Sequence, residues 1–190
     1  RVAPFTLPRY SVSARFDRPF ARPGMQVNLQ GEVRYASGAP VAGARLEYRW
    51  RKSGASLGSV AFTDLPKKGQ TDAAGRFSLA LPPIPGGFLG RATLGVDVVA
   101  IDDTGDRSAG VTELLVSKDA VSAQVETEFG GGLAQGMNNR VYLRLMTADG
   151  RPLPDAAVTV RRAWDPSAEA APAQTNASSV AAHQFAPGPP

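Results

Sequence analysis

The segment Met25–Tyr35, "MQVNLQGEVRY", sets Met25, Val27, Leu29, Val33 and Tyr35 at alternate positions, with Gln, Asn, Glu and Arg between them. Successive side chains leave a strand on opposite faces. A two-residue period sustained this long therefore describes a strand with one face in a core and the other in water. "RYSVSARF" (9–16) repeats the pattern through Tyr10, Val12, Ala14 and Phe16, and "ARLEYRWR" (44–51) through Ala44, Leu46, Tyr48 and Trp50. Further strands are expected at 76–81, 91–101 and 111–116. "VSAQVETEF" (121–129), "RVYLRLMT" (140–147) and "AAVTV" (156–160) continue the alternation. No window sustains a 3.6-residue period between capping residues, so the fold class is all-β.

The turns are chemically explicit. "RPG" (22–24), "SGAP" (37–40), "DAAG" (72–75) and "DDTGD" (102–106) combine residues that fix φ with residues that tolerate φ > 0. Roughly seven strands in about 110 residues is the pattern of an immunoglobulin-like or fibronectin-III-like β-sandwich. Tyr10, Val27, Leu29, Val33, Leu46, Trp50, Phe77, Leu79 and Val96 are expected in its core, with Trp50 as an anchor. The chain has no cysteine, which excludes the Cys…Trp…Cys pattern of antibody domains, any disulfide framework and any thiolate zinc site.

The same letters recur. "GAPVAGARL" (38–46) and "GRPLPDAAV" (150–158) lie 112 positions apart, and that register also carries Gly24-Met25 onto Gly136-Met137 and Leu29 and Val33 onto Val141 and Leu145. A repeat of this length implies tandem domains, since solenoid units are typically about 20–50 residues. The expected division is a first sandwich at 1–117 and a second, divergent or truncated one at 118–190. "TNASSVAAHQF" (175–185) echoes "TDAAGRFSLAL" (71–81) at an offset of 104, and two strands of the first copy have no echo after it. The second sandwich is thus expected to be incomplete or closed by something outside this sequence. The small-residue stretch "DPSAEAAPAQTNASS" (165–179) reads as a long loop.

Net charge is +4, and the 21 basic residues are dispersed, which points away from a nucleic-acid partner. No stretch approaches the roughly 20 apolar residues of a membrane helix, nor does the start read as a signal peptide, so no membrane contact by this segment is expected. Arg1 in the first position fits a processed chain or an excised piece.

Several constellations invite a chemical reading. His183 is the single histidine and has no cysteine or second histidine to work with; a Ser-His arrangement would need a carboxylate to position it. Asp102, Asp103 and Asp106 in "DDTGD" could offer oxygen ligands to calcium, or simply form the turn that Asp and Gly favour. "GGGLAQG" (130–136) lacks the spacing of a phosphate-binding loop and reads as a flexible connection. Glu126 and Glu128 share the solvent side of their strand. Arg45, Arg49 and Arg51 form a stripe on the face opposite Tyr48 and Trp50, where a nucleic-acid site would want aromatics interleaved. No catalytic, cofactor-binding or metal residue is assigned, and no cofactor is expected.

"YSVSARFDRPFARPGMQVNLQGEVRYASGAPVAGARLEYRW" resembles the macroglobulin-like domains of the bacterial alpha-2-macroglobulin family. The resemblance is carried by Asp17-Arg18-Pro19-Phe20-Ala21-Arg22-Pro23-Gly24 before the second long strand and by Gly38-Ala39-Pro40-Val41-Ala42-Gly43-Ala44 after it. "TDAAGRF" (71–77) and "IDDTGDRSAG" (101–110) look like the family's later turns. It implies a long chain of sandwiches with a protease-cleavable bait segment, a separate thioester domain and a protease-trapping role in the periplasm. The thioester needs a Cys-Gly-Glu-Gln type motif, so its chemistry cannot reside in this cysteine-free piece. The expectation is a non-catalytic scaffold fragment of a large bacterial envelope protease inhibitor, whose partners are neighbouring domains of the same chain and, through the full-length protein, target proteases. A lipoprotein anchor outside this segment would fit an envelope location. The alternative is a tandem sandwich module of a surface adhesin or a carbohydrate-active enzyme. An adhesin predicts near-identical copies, whereas these two have diverged.

Overall fold

In the computed structural model, the residues described are 9–54, 62–130, 132–134, 136–161, 163, 167 and 169–185. Among them the regular structure is entirely strand, and no helix is long and apolar enough to cross a membrane. The chain divides into two compact units, Arg1–Lys118 and Asp119–Pro190.

The first unit contains β1 (Tyr10–Phe16), β2 (Phe20–Ala21), β3 (Asn28–Tyr35), β4 (Arg45–Ser53), β5 (Lys68–Gln70), β6 (Arg76–Ala80), β7 (Arg91–Ile101) and β8 (Arg107–Ser117). They form two sheets, β1-β3-β6 and β2-β8-β7-β4-β5. All pairs are antiparallel except β2 with β8, where Phe20 meets Leu115 and Ala21 meets Val116 in parallel register. The apolar faces read from the sequence meet between the sheets: Tyr10, Val27, Leu29, Val33, Leu46, Phe77 and Val96 are all buried. Leu79 and Trp50 are only partly buried against that core. Trp50 sits at its margin, where its indole Nε1–H donates to the Pro66 carbonyl at 2.7 Å.

Phe88 and Ile84, in the Pro- and Gly-rich run after β6, are among the largest fully buried side chains, and the sequence pattern did not single them out. The run is tied down by main-chain bonds, Leu81 N–H to Val27 O, Ile84 N–H to Met25 O and Gly24 N–H to Ile84 O. Gly31, on the apolar face of β3, stands opposite Phe77. A Cβ there would overlap the Phe77 ring, so the missing side chain makes room for the aromatic one.

The second unit contains β9 (Val121–Thr127), β10 (Asn139–Thr147), β11 (Ala157–Val160), β12 (Ala171–Gln174) and β13 (Val180–Phe185), in sheets β9-β10-β13 and β11-β12. Its ladders copy the first unit's. Gln30 pairs with Ser78 and Tyr142 with Ala182; Arg45 pairs with Gln70 and Ala157 with Gln174. Strands β9, β10, β11, β12 and β13 thus stand for β1, β3, β4, β5 and β6. No described strand of the second unit stands for β7 or β8.

One expectation is corrected. The stretch 165–179 is not a continuous loop: residues 171–174 form β12, and Thr175 and Ser179 are buried. Pro172 hid the strand in the sequence. It is tolerated because β12 pairs on one side only and Pro172 stands opposite Thr159, where its missing N–H breaks no ladder bond. Residues 165, 166 and 168 of that stretch lie outside the described set.

Candidate functional site

The repeated turn system is the most closely built polar feature of the molecule. In the first unit the Thr71 hydroxyl donates to Val41 O at 2.8 Å and accepts from Ala44 N–H at 2.9 Å. In the second, the Thr175 hydroxyl donates to Leu153 O at 2.7 Å and accepts from Ala156 N–H at 2.8 Å. The next residue caps the turn in each: Asp72 Oδ1 accepts from Ala74 and Arg76 N–H, and Asn176 Oδ1 from Ser178 and Val180 N–H. Gly75 and Ser179 then take the same left-handed conformation, with φ of 72° and 63°. Gly43 and Asp155 do so at the preceding turn, with φ of 68° and 55°. The echo between 71–81 and 175–185, faint in letters, is near-complete in hydrogen bonds. Sequence reasoning passed over both threonines; the recurring Thr-Asp/Asn step was the signal.

The acidic turn does not gather its carboxylates. Asp102 is buried, and its Oδ1 accepts from Thr104 N–H, the Thr104 hydroxyl and Asp106 N–H at 3.0, 2.8 and 2.9 Å. Burial alone would raise the pKa of this carboxyl. The hydrogen bonds from Thr104 and Asp106 and the charge of Arg9 outweigh that effect and hold it below the ordinary carboxylate value. Asp106 turns to Arg9 at 2.9 Å, and Asp103 faces solvent. The Tyr10 hydroxyl closes the same corner, its single proton shared between the carbonyls of Ala100 and Asp106. The arrangement locks a hairpin end. Among the described residues no group of three His, Asp or Glu side chains converges in a way that could hold a metal ion.

The arginine stripe is interleaved with acids. Arg51 pairs with Asp97 at 2.9 Å, and Glu47 takes both Arg107 at 3.0 Å and Arg49 at 3.7 Å. Arg45 lies at the exposed start of β4. Glu126 and Glu128 are exposed, and His183 is half-buried in mid-strand opposite Val141. The glycine-rich 130–136 connection is fixed by a residue that the sequence pattern did not reveal. Asn139, 1% exposed, accepts from Ala134 N–H and donates to the carbonyls of Ala134 and Met137. Gly131 and Gln135 of that connection lie outside the described residues.

On the outer side of the β1-β3-β6 sheet, Ser13, Arg15, Glu32, Asp72 and Arg76 border an open groove of about 900 Å³. Glu32 pairs with Arg34 at 3.0 Å and Asp72 with Arg76 at 3.5 Å.

These features define a class of protein, a β-sandwich repeated in tandem whose polar side chains are spent on fixing turns. No protein-family model matches the chain, and no curated protein matches it in sequence. Solved structures do match. The native Escherichia coli alpha-2-macroglobulin structure covers 96% of this chain with a TM-score of 0.57 at 11% identity. The trypsin-activated form gives 96%, 0.57 and 12%, and Salmonella alpha-2-macroglobulin reacted with methylamine gives 97%, 0.54 and 10%. The chain spans 15% of the length of each of these proteins. Its fold is that of the macroglobulin-like domains of bacterial alpha-2-macroglobulins.

Proposed function

We propose that this chain is a non-catalytic scaffold segment of a large bacterial envelope protease inhibitor of the alpha-2-macroglobulin kind. The observation that carries the reading is the match of both units together, over 96% of the chain, to a stretch amounting to 15% of one such protein. A frame suits the chemistry of the surface, where charges are balanced in local ion pairs and turns are locked by buried threonines, as polar interdomain contacts require. In this reading the segment holds neighbouring domains of the same chain in place, and proteases are engaged by the full-length protein. Trapping needs a rearrangement of many domains, to which a rigid sandwich contributes the interfaces that move.

The test uses the whole translation product of the gene, with and without this segment. It is incubated with an endopeptidase and followed by cleavage of a large protein substrate. The intact product should protect the substrate, and the deletion should abolish protection. An intact product that gives no protection overturns the reading.

A further inference from the structure

The large and small partners beneath each edge strand are exchanged between the two units. In the first, Gly31 of β3 stands opposite Phe77 of β6, so the edge strand itself carries the large side chain, and Phe77 is buried. In the second, Leu143 of β10 stands opposite Ala181 of β13, so the large side chain belongs to the central strand. The next position on the same face repeats the contrast. Leu29 stands opposite Leu79 in the first unit, and Val141 opposite His183 in the second. β6 cannot leave its sheet without drawing Phe77 and Leu79 away from the core they pack in. Between Val180 and Gln184, the inner face of β13 would withdraw only Ala181 and the half-buried His183. Apolar area is what holds an edge strand beyond its single ladder, and over these residues β13 brings little of it.

The corner at which β13 begins is strained as well. Gly75 and Ser179 hold the same place before the edge strand, both in the left-handed conformation. At Gly75 a Cβ would lie 2.6 Å from Val33 O and 3.0 Å from the Pro40 Cβ. Ser179 carries a Cβ at that place. It is fully buried, and its Oγ has no hydrogen-bond partner among the described residues. A left-handed L-residue and a buried, unpaired hydroxyl each cost free energy, and both costs are relieved when Ser179 leaves the turn. On the other side of the turn the chain is held firmly, because the buried Thr175 hydroxyl both donates to Leu153 O and accepts from Ala156 N–H.

We propose that β13 is a releasable strand, which swings away from β10 about the 176–179 turn and returns while Thr175 and the β11-β12 ladder stay in place. Opening breaks one ladder, frees Ser179 from its strained position and leaves Leu143 on β10. β6 rests on the same kind of ladder but is pinned by Phe77 and turns through a glycine, so it stays closed. The second unit can thereby yield at one strand without unfolding. This release is independent of whether the chain serves an inhibitor.

The test is amide hydrogen exchange of the 190-residue chain, read residue by residue. Leu145 N–H donates to Ser179 O, and alternate residues address the same neighbour, so Leu143 and Ala181 report the β10-β13 ladder. Thr175 N–H, bonded to Ala156 O, reports the fixed side of the turn. Leu143, Leu145, Ala181 and His183 should share one level of protection, about tenfold or more below that of Thr175. In the first unit Gly31, Val33, Phe77 and Leu79 should be protected as strongly as Thr71. Ser179→Gly should slow exchange at Leu143, Leu145, Ala181 and His183 about tenfold and leave Thr175 unchanged. Leu143→Ala combined with Ala181→Leu returns the large side chain to the edge strand at constant volume, and should act in the same direction. Equal protection of Thr175 and Ala181 in the parent chain overturns the proposal, as does Ser179→Gly slowing both alike. Protection that falls steadily toward Phe185 and ignores Ser179→Gly overturns it too, because that is the behaviour of a frayed end.

Discussion

Thr71 and Thr175 perform one task at equivalent points of the two units. Each hydroxyl donates to the carbonyl of the residue three before an alanine and accepts from that alanine's N–H, joining the entry of β4 or β11 to the turn before β6 or β13. Each threonine is almost fully buried, at 5% and 2% exposed, so neither main-chain group has water to fall back on. Thr71→Val keeps the shape and removes the hydroxyl. It should cost about 1–3 kcal/mol in urea unfolding, whereas Thr71→Ser should retain most of the stability. Equal effects of the two substitutions would show that the methyl group, and not the hydroxyl, matters.

Phe88, fully buried in the first unit, is the side chain whose loss should hurt most. Phe88→Ala should cost about 3–5 kcal/mol, the range for emptying a large aromatic site. Val111→Ala, at a position 59% exposed, should fall within about 0.5 kcal/mol of the parent. Similar losses at both positions would contradict the placement of the 81–88 run inside the core.

Gly110 marks a close approach between β8 and β1. A Cβ added there would overlap the Val12 carbonyl oxygen, whereas one at Gly95 would meet its nearest atoms at 3.7 Å. Gly110→Ala should therefore destabilise by about 1–3 kcal/mol through forced backbone movement, and Gly95→Ala should be close to neutral. Thermal unfolding of the two variants side by side distinguishes them. A neutral Gly110→Ala would mean that β1 does not pass over β8 at this point.

Stability should fall in acid, partly through Asp102. Its folded pKa lies below the ordinary carboxylate value: burial pushes it up, and the bonds from Thr104 and Asp106 with the Arg9 charge pull it further down. Asp17, Asp72 and Asp149 are shifted in the same direction, Asp72 chiefly by the Arg76 N–H and Asp149 chiefly by the Thr147 hydroxyl. Because the unfolded chain takes up these protons first, the contribution is complete above the unfolded pKa and disappears as pH drops through the folded one. Urea midpoints should be level near neutrality and decline from about pH 5 downward. Asp102→Asn, which cannot ionise, should make the decline shallower. An acid limb with the parent's slope in that variant would show that Asp102 carries none of the pH dependence.

The long alternations were legible because a two-residue period over seven or more residues fits a half-buried strand and neither a helix nor a loop, and β1, β3, β4 and β7 lie where it places them. β5 was not legible. Lys68-Gly69-Gln70 has no apolar residue and becomes a strand only because an edge of β4 recruits it. β2 is two residues long, and β12 is disguised by Pro172. Phe88 sits among prolines and glycines, where no period survives. The turn at 102–106 was readable as a turn from its aspartates and glycine. The roles of Asn139 and Thr71 were not, because their partners are main-chain groups that only the folded chain brings near. In the second unit the apolar alternation of β9 is real, but alternation states which face could be buried and not whether a partner sheet covers it.

The proposed frame role requires that this chain carry no inhibitory action of its own. The purified chain is incubated in molar excess with several unrelated endopeptidases while cleavage of a large protein substrate is followed. Cleavage rates are expected to be unchanged, apart from competition by digestion of the chain itself. Dose-dependent protection beyond that competition would contradict it and place an inhibitory surface within these 190 residues.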